Sequence, residues 1–250
     1  MNLIELADLH LDALYERDVI GLITASRDAE VTPPWFHLVR TPDGNRWLLG
    51  AALEDLRRER LAAILSVQPP ISDCADALGH PSDLDAIRAA LAEHASAVRE
   101  YCGPAFFFPN QLPANDRAEL LYELPEAARR GPFAWLGDAG EASHPIAVVR
   151  ADNSEVASVC HSARSTSGAA EAGVETADEY RGRGYGSLAV LKWAAAVREG
   201  GRMPLYSTEW ENTASRALAR SLGLICYAED LHIGLQRRQH RPALGGTHDA

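Results

Sequence analysis

Residues 171–186 read Glu171-Ala-Gly-Val-Glu-Thr-Ala-Asp-Glu-Tyr-Arg-Gly-Arg-Gly-Tyr-Gly186, and a helical pattern follows over residues 187–199. A short apolar strand therefore runs into a glycine-rich turn that opens directly into a helix. The first backbone N–H groups of a helix have no partner within it and lie at the positive end of its dipole, so they bind phosphate groups. Glycine allows close approach of an anion, and Arg181 and Arg183 add charged donors. The segment predicts a site for an anionic, nucleotide-derived cofactor.

Two common phosphate-binding motifs do not fit this spacing. The dinucleotide fingerprint needs G-x-G-x-x-G and an acidic residue about 20 positions later. Here position 187 is Ser, and the following strand offers no suitable acid before Glu209. A P-loop needs Gly-Lys-Ser/Thr, whereas the only lysine of the chain is Lys192, in the middle of the helical pattern.

The pattern that fits is Arg/Gln-x-x-Gly-x-Gly/Ala, present as Arg181, Gly184 and Gly186. It resembles motif A of the GNAT superfamily, the general N-acetyltransferases that bind acetyl-CoA. After a predicted strand at 203–209, residues 210–223 begin Trp-x-Asn-x-x-Ser, continue as an amphipathic helix and end in glycine. This arrangement resembles motif B of the same superfamily. It is most similar to the branch of antibiotic self-resistance acetyltransferases such as that for zwittermicin, and the resemblance covers about residues 145–235.

The resemblance implies a cofactor site in this segment. The backbone at Val174 and Thr176 would pair with the pantetheine arm of acetyl-CoA, beside a bulge in the strand 171–176 that opens a slot between strands. The turn would hold the pyrophosphate, and Asn212 would both contact the cofactor and cap its own helix. The implied cofactor-binding residues are Val174, Thr176, Arg181, Gly182, Arg183, Gly184, Tyr185, Gly186, Asn212 and Ser215.

Transfer of an acyl group to an amine requires a base that removes the amine proton and a donor for the thioester oxygen. Glu171 and Glu175 are the candidate catalytic bases, and the two-residue period of a strand places both side chains on one sheet face. The resemblance favours Glu171, which matches the acidic position of the antibiotic self-resistance branch. The alternative is that both are solvated surface charges. His161 on the preceding strand could relay a proton, although a lone histidine in a strand more often has a structural role.

The proton donor for the departing thiolate is less clear from the sequence. Many GNAT proteins carry a tyrosine on the motif B helix, at the position that Ala219 occupies here. Tyr227 on the following strand is the candidate catalytic acid, and Tyr185 and solvent stay open as substitutes.

Composition narrows the possible partners. The 250-residue chain has a net charge of −11, and residues 145–250 contain 12 basic and 12 acidic residues, so the acidic excess lies in the first part. No nucleic-acid partner is expected, because such binding needs clustered Lys and Arg. The acidic part could attract a cationic amine, although solubility alone accounts for such a charge.

Neither a membrane partner nor a metal is expected. The sequence has no run of about 18 apolar residues, and its first residues lack the basic region of a signal peptide. The histidines show no metal-ligand spacing. The cysteines are isolated, as is usual for reduced thiols; they are Cys74, Cys102, Cys160 and Cys226. We therefore expect a cytoplasmic protein.

The first part of the chain predicts a mixture of helices and strands. Helices are expected near 3–17, 54–66 and 83–101, and strands at 19–25, 34–41, 46–52, 106–109 and 120–124. Turn residues concentrate in 127–144, which is the predicted domain boundary. A hairpin over 146–163 and a strand at 170–176 then lead into the cofactor turn.

The expected architecture is an α+β fold with a GNAT-like mixed, mostly antiparallel sheet flanked by helices. Residues 1–140 would form an acidic α+β accessory domain, compatible with a diverged second half of the same fold. Residues 141–236 would form the catalytic domain, and residues 237–250 a flexible tail. The resemblance implies an acetyl-CoA-dependent N-acetyltransferase that moves an acetyl group directly to a primary amine of a small polar molecule. The alternatives are a non-catalytic acyl-CoA-binding regulatory module and an acetyltransferase acting on proteins or peptides.

Overall fold

The computed structural model describes residues 1–28, 31–72, 84–91, 98–121, 132–138 and 144–235. Helices and strands alternate irregularly along these residues. The helices are α1 (Leu3–Leu14), α2 (Asp55–Ser66), α3 (Leu84–Leu91), α4 (Tyr185–Glu199) and α5 (Thr213–Ser221). The strands are β1 (Tyr15–Arg17), β2 (Ile23–Ser26), β3 (Phe36–Thr41), β4 (Gly44–Leu49), β5 (Val98–Phe107), β6 (Ala118–Leu121), β7 (Ile146–Arg150), β8 (Val156–Ser165), β9 (Ala169–Thr176), β10 (Met203–Ser207) and β11 (Ile225–Leu235).

Nine strands form one sheet in the order β4-β3-β11-β5-β10-β9-β8-β7-β6, and β1 pairs with β2 separately. Within the nine-stranded sheet, every described pairing is antiparallel except that of β9 with β10. The predicted fold class, a mixed and mostly antiparallel sheet flanked by helices, is confirmed.

The first part of the chain contributes directly to this sheet. Strand β5 lies between β10 and β11, and the hairpin of β3 and β4 continues the sheet beyond β11. The two predicted parts therefore share one sheet and are not two separate sheets. Most of the predicted boundary at 127–144 and all of the predicted tail at 237–250 lie outside the described residues.

Helices cover both sheet faces. Ala170 packs in the apolar cluster that contains α4, with Trp193 fully buried at its centre, so we name this side the α4 face. Its neighbour Ala169 points the other way, into the cluster formed with Leu6 and Leu11 of α1, which defines the α1 face. Helices α2 and α3 pack against the β3–β11 end of the sheet. None of the helices in the described part of the chain is long and apolar enough to span a membrane.

Two predicted elements differ from the structure. Of the helix expected over 83–101, the described part is α3 (Leu84–Leu91), and residues 92–97 lie outside the described residues. Residues 98–101 belong to β5, because pairing along β11 outweighs the local helical pattern. The strand expected at 19–25 is shortened to Ile23–Ser26. The Asp18 carboxylate accepts hydrogen bonds from the backbone N–H groups of Ile20 and Leu22, which fixes a turn there instead.

Candidate functional site

Strands β9 and β10 separate part-way along the sheet. They pair only from Met203 opposite Ala169 to Leu205 opposite Glu171. Beyond that point β9 continues to Thr176 paired with β8, while the end of β10 pairs with β5. The β9 backbone over 172–176 therefore has no strand partner on its β10 side within the described sheet. The backbone groups that point to this side are available to a ligand between the two strands, except that Thr176 O accepts a hydrogen bond from Arg181 Nε.

The bulge beside this opening lies on β8, whereas the resemblance placed it in β9. Ser162 opposes Ala172 and Arg164 opposes Glu171, so the extra residue is Ala163. A bulge increases the local twist of a strand pair, and this one lies where the pairing of β9 with β10 ends. The bulge was expected within strand 171–176 but lies in β8, so the predicted position was wrong.

The turn after β9 needs its glycines for two reasons. Gly182 and Gly184 adopt φ angles of +74° and +81°, a region that other residues rarely enter. Gly184 is the N-cap of α4. At Gly186, a Cβ would lie 3.2 Å from Thr176 Oγ1 and 3.3 Å from Leu218 Cδ1, so the helix begins in close contact with β9 and α5. The free N–H groups of the first turn of α4 consequently face the open edge of β9.

A groove of about 730 Å³ runs from this edge to the start of α5. Asn212 caps α5 there, its Oδ1 accepting a hydrogen bond from the Ser215 N–H at 3.0 Å. The groove brings together all the predicted cofactor-binding residues except Arg183: Val174, Thr176, Arg181, Gly182, Gly184, Tyr185, Gly186, Asn212 and Ser215. Sequence reasoning missed Tyr180, Ser187, Ala214, Ala217, Leu218 and Ser221, of which the last two follow Ser215 at helical spacing on α5.

Arginines surround the mouth of the groove. Arg181 Nη2 lies 2.9 Å from Asp178 Oδ1 and Nε donates to Thr176 O, whereas the Arg183 guanidinium stands 5.6 Å from the Tyr180 ring. Arg117, from the loop before β6, stands 5.9 Å from the Tyr185 ring. Nothing in the sequence around Arg117 indicated this position, because the residue reaches the groove only through the tertiary fold.

These features were compared with known proteins. Residues 142–229 match the family model for GNAT acetyltransferases. The match runs from just before β7 into β11, so it covers the segment that forms the groove. The finer resemblance to the antibiotic self-resistance branch stays a prediction. No curated protein sequence matches the chain.

Several solved structures of GNAT proteins are similar to this chain. A GCN5-related N-acetyltransferase-like protein from Streptococcus suis is 16% identical, with a TM-score of 0.45 over 60% of this chain and 68% of that one. A GNAT-family acetyltransferase from Colwellia psychrerythraea is 13% identical, with a TM-score of 0.45 over 76% of each chain. A tandem GNAT protein from the clavulanic acid biosynthesis pathway is 12% identical, with a TM-score of 0.45 over 92% of this chain and 94% of that one.

Glu171, one of the two predicted bases, is held in a buried ion pair. Its side chain is 3% exposed. Arg164 Nη1 donates to its carboxylate at 3.1 Å, Ser207 Oγ donates to the other oxygen, and His10 Nε2 lies 3.7 Å away. Burial alone would raise the pKa of Glu171, but His10 and Arg164 outweigh it and hold the pKa well below its usual range. A carboxylate with so low a pKa is a weak general base.

Glu175, the other predicted base, lies in a different environment. It is exposed and lines the groove, at the part of β9 that has left β10. Trp135 Nε1 donates to its carboxylate at 2.8 Å. Glu171 and Glu175 share the α1 face, as the period of the strand predicts, but only Glu171 lies under α1.

Tyr227, the predicted acid, is 1% exposed and is not among the groove-lining residues. Its hydroxyl shares a 2.7 Å hydrogen bond with His10 Nδ1. His10 Nδ1 also lies 3.7 Å from Asp230 Oδ2. Burial opposes the charged form of His10, but Asp230 and then Glu171 outweigh it and raise the pKa of His10. Tyr227 and Glu171 therefore belong to one buried network under α1, which sequence reasoning missed because His10 lies 161 positions before Glu171.

Proposed function

We propose that the protein is an acetyl-CoA-dependent N-acetyltransferase that transfers an acetyl group directly to the primary amine of a small molecule. The observation that carries this proposal is the groove itself. It joins an open strand edge, a glycine turn at a helix N-terminus and a capped second helix in one cavity. An elongated ligand with an anionic end and an amide-containing arm fits these three parts.

The residues present suit acetyl-CoA. The N–H groups at the start of α4, with Arg181 and Arg183 beside them, would hold the pyrophosphate. The absence of a side chain at Gly186 keeps the helix start against Thr176, so the phosphate site adjoins the strand edge. The backbone of Val174 and Thr176 would pair with the pantetheine arm, and Asn212 and Ser215 line its other side. When bound, acetyl-CoA supplies an activated thioester.

Among the predicted bases, the structure favours Glu175. An ammonium group must lose a proton before it becomes a nucleophile, and Glu175 has its carboxylate at the groove, free of any cation pairing among the described residues. Glu171 is neutralised by Arg164 and covered by α1. The unpaired N–H groups of β9 over 172–176 provide donors for developing negative charge. Tyr185, which lines the groove, and solvent are the proton donors at this site; Tyr227 lies in the network under α1.

The first experiment is calorimetric titration of the protein with acetyl-CoA, using two matched glycine variants. Gly184 and Gly201 both have positive φ angles with open space around them, and they lie at opposite ends of α4. Substitution by Ala at either position introduces a similar backbone strain of about 1 kcal/mol. We expect micromolar binding by the wild type and by Gly201→Ala, and binding weakened at least about tenfold in Gly184→Ala because the phosphate site is distorted.

Equal affinity in both variants would show that the start of α4 is not the phosphate site. Absence of binding by the wild type would refute the proposed cofactor. Turnover is then measured by release of free CoA thiol in the presence of a panel of amines, and binding without any turnover would contradict an enzymatic role.

A further inference from the structure

An aromatic and acidic patch lies on the α1 face where β9 has left β10. It consists of Trp135, His161 and Glu175, and we refer to it as the Trp135 patch. The Trp135 side chain is 43% exposed, although it contacts both other members. Its indole N–H donates to Glu175 Oε2, and its ring centroid lies 4.9 Å from that of His161 in an edge-to-face arrangement. An exposed indole fixed against a carboxylate is a frequent way of recognising cations.

The floor of this patch is Gly173, which is opposite His161 in the sheet. A Cβ at this position would lie 2.5 Å from His161 Nε2, so the absence of a side chain leaves room for the imidazole against the β9 backbone. Gly173 belongs to the segment 172–176, which pairs with β8 but has no strand partner on its β10 side within the described sheet. The patch and the open edge proposed for the pantetheine arm are therefore two sides of the same stretch of strand.

The charges around the patch suit a cation. Glu175 has no partner of opposite charge among the described residues. The nearby Arg164 is engaged by Glu171 at 3.1 Å and by Asp28 at 4.0 Å. Burial lowers the pKa of His161 to about 4, so the imidazole is neutral near pH 7 and does not repel an ammonium group.

We propose that the Trp135 patch is the acceptor subsite, and that it takes a primary ammonium carried on an apolar or aromatic body. The ammonium would lie beside Glu175 and near the indole, and the body would pack on the exposed Trp135 ring and the His161 imidazole. This proposal rests on the proposed function, because an acceptor subsite presupposes acetyl transfer. Binding of the amine itself does not require acetyl-CoA. It replaces the small polar acceptor that the sequence resemblance implied.

The test is calorimetric titration of the full chain, without cofactor, with three probes. Phenethylamine has both the ammonium and the aromatic body, phenethyl alcohol lacks the charge, and ethanolamine lacks the aromatic body. We expect phenethylamine to bind, and the other two to bind at least about fivefold more weakly, because each loses one of the two contacts.

Two variants and one matched control locate the binding. Trp135→Ala and Glu175→Gln should each weaken phenethylamine binding about fivefold or more. Glu179→Gln removes an exposed carboxylate outside the groove, so this variant should bind phenethylamine as the wild type does.

The outcomes separate this proposal from the proposed function. Binding of acetyl-CoA without binding of phenethylamine overturns the acceptor subsite and leaves the cofactor assignment standing. Phenethylamine binding that is unchanged in Trp135→Ala and Glu175→Gln also overturns it, because the amine then lies elsewhere. Binding that depends on both residues supports the subsite even if acetyl-CoA fails to bind, and in that case only the proposed function is refuted.

Discussion

Replacing Glu171 with glutamine should destabilise the fold, and any loss of activity should follow from that. The substitution removes a 3% exposed carboxylate that Arg164, Ser207 and His10 surround. Breaking a buried ion pair by removing one partner costs about 3–5 kcal/mol, since the remaining charge stays buried. The lower end applies here, because Arg164 is a quarter exposed and retains Asp28 at 4.0 Å. We therefore expect Glu171→Gln to lower the free energy of unfolding by about 3 kcal/mol at neutral pH.

The pH dependence of that difference identifies its origin. The pKa of Glu171 is lowered in the folded state, so its stabilising effect is present above its unfolded pKa of about 4.3 and is lost as pH falls toward the folded value. The pKa of His10 is raised, so its contribution is present below about 6.5 and is lost as pH rises through the folded value. Urea unfolding of wild type and variant should show the largest gap between these limits, and a smaller gap at lower pH.

Glu175→Gln is the matched control, four residues along the same strand and on the same face. Glu175 is exposed, so its substitution should change the free energy of unfolding by less than about 0.5 kcal/mol. It should lower the rate of acetyl transfer by about 10²-fold or more if Glu175 is the base. A Glu171→Gln variant with wild-type stability and no turnover, beside a fully active Glu175→Gln variant, would refute this reasoning and return the base to Glu171.

Three further predictions concern the rest of the site. Tyr227→Phe removes the hydroxyl bonded to His10, so the free energy of unfolding should fall by about 1–2 kcal/mol with turnover unchanged; loss of turnover at unchanged stability would identify Tyr227 as the acid. Arg117 stands beside the groove-lining Tyr185, so we expect its charge to attract the cofactor's phosphates. Arg117→Ala should therefore weaken acetyl-CoA binding about threefold in calorimetry at low salt, and less at high salt; an unchanged affinity would contradict this role. A chain of residues 141–235 lacks β5 between β10 and β11, so it should show no cooperative thermal transition, and a sharp transition would support the predicted separate domain.

The cofactor groove could be predicted from the sequence because its parts are local. Strand, glycine turn, helix and capped second helix follow one another within about 50 residues, and each has a recognisable cause, such as the positive φ of Gly184 or the cap at Asn212. Because residues close together in the sequence set this geometry, their identities are enough to predict it.

The role of each glutamate could not be predicted in the same way. Glu171 and Glu175 have equivalent sequence contexts, and their environments differ because His10 and Arg164 reach only the first of them, and Trp135 only the second. The same limit applies to β5, whose pairing with both β10 and β11 joins residues far apart in the sequence, such as Phe107 with Leu205, and overrides a helical pattern. Contacts between residues far apart in the sequence determined these environments and pairings, and the local sequence pattern did not contain them.

Strand β9 carries Glu171 and Glu175 on one face, and their environments differ because helix α1 covers only Glu171. Near Glu171, β9 still pairs with β10 and α1 closes the face, so the Glu171 and Asp230 carboxylates, His10 and the Tyr227 hydroxyl lie close together away from solvent. Near Glu175 the pairing has ended, and a carboxylate there meets solvent, the groove and an exposed indole. A buried, fully engaged acid stabilises the place where the strands part, and an accessible acid beyond it can exchange a proton. The divergence of β9 from β10 is thus the feature that turns one of two similar glutamates into a structural residue and leaves the other available for chemistry.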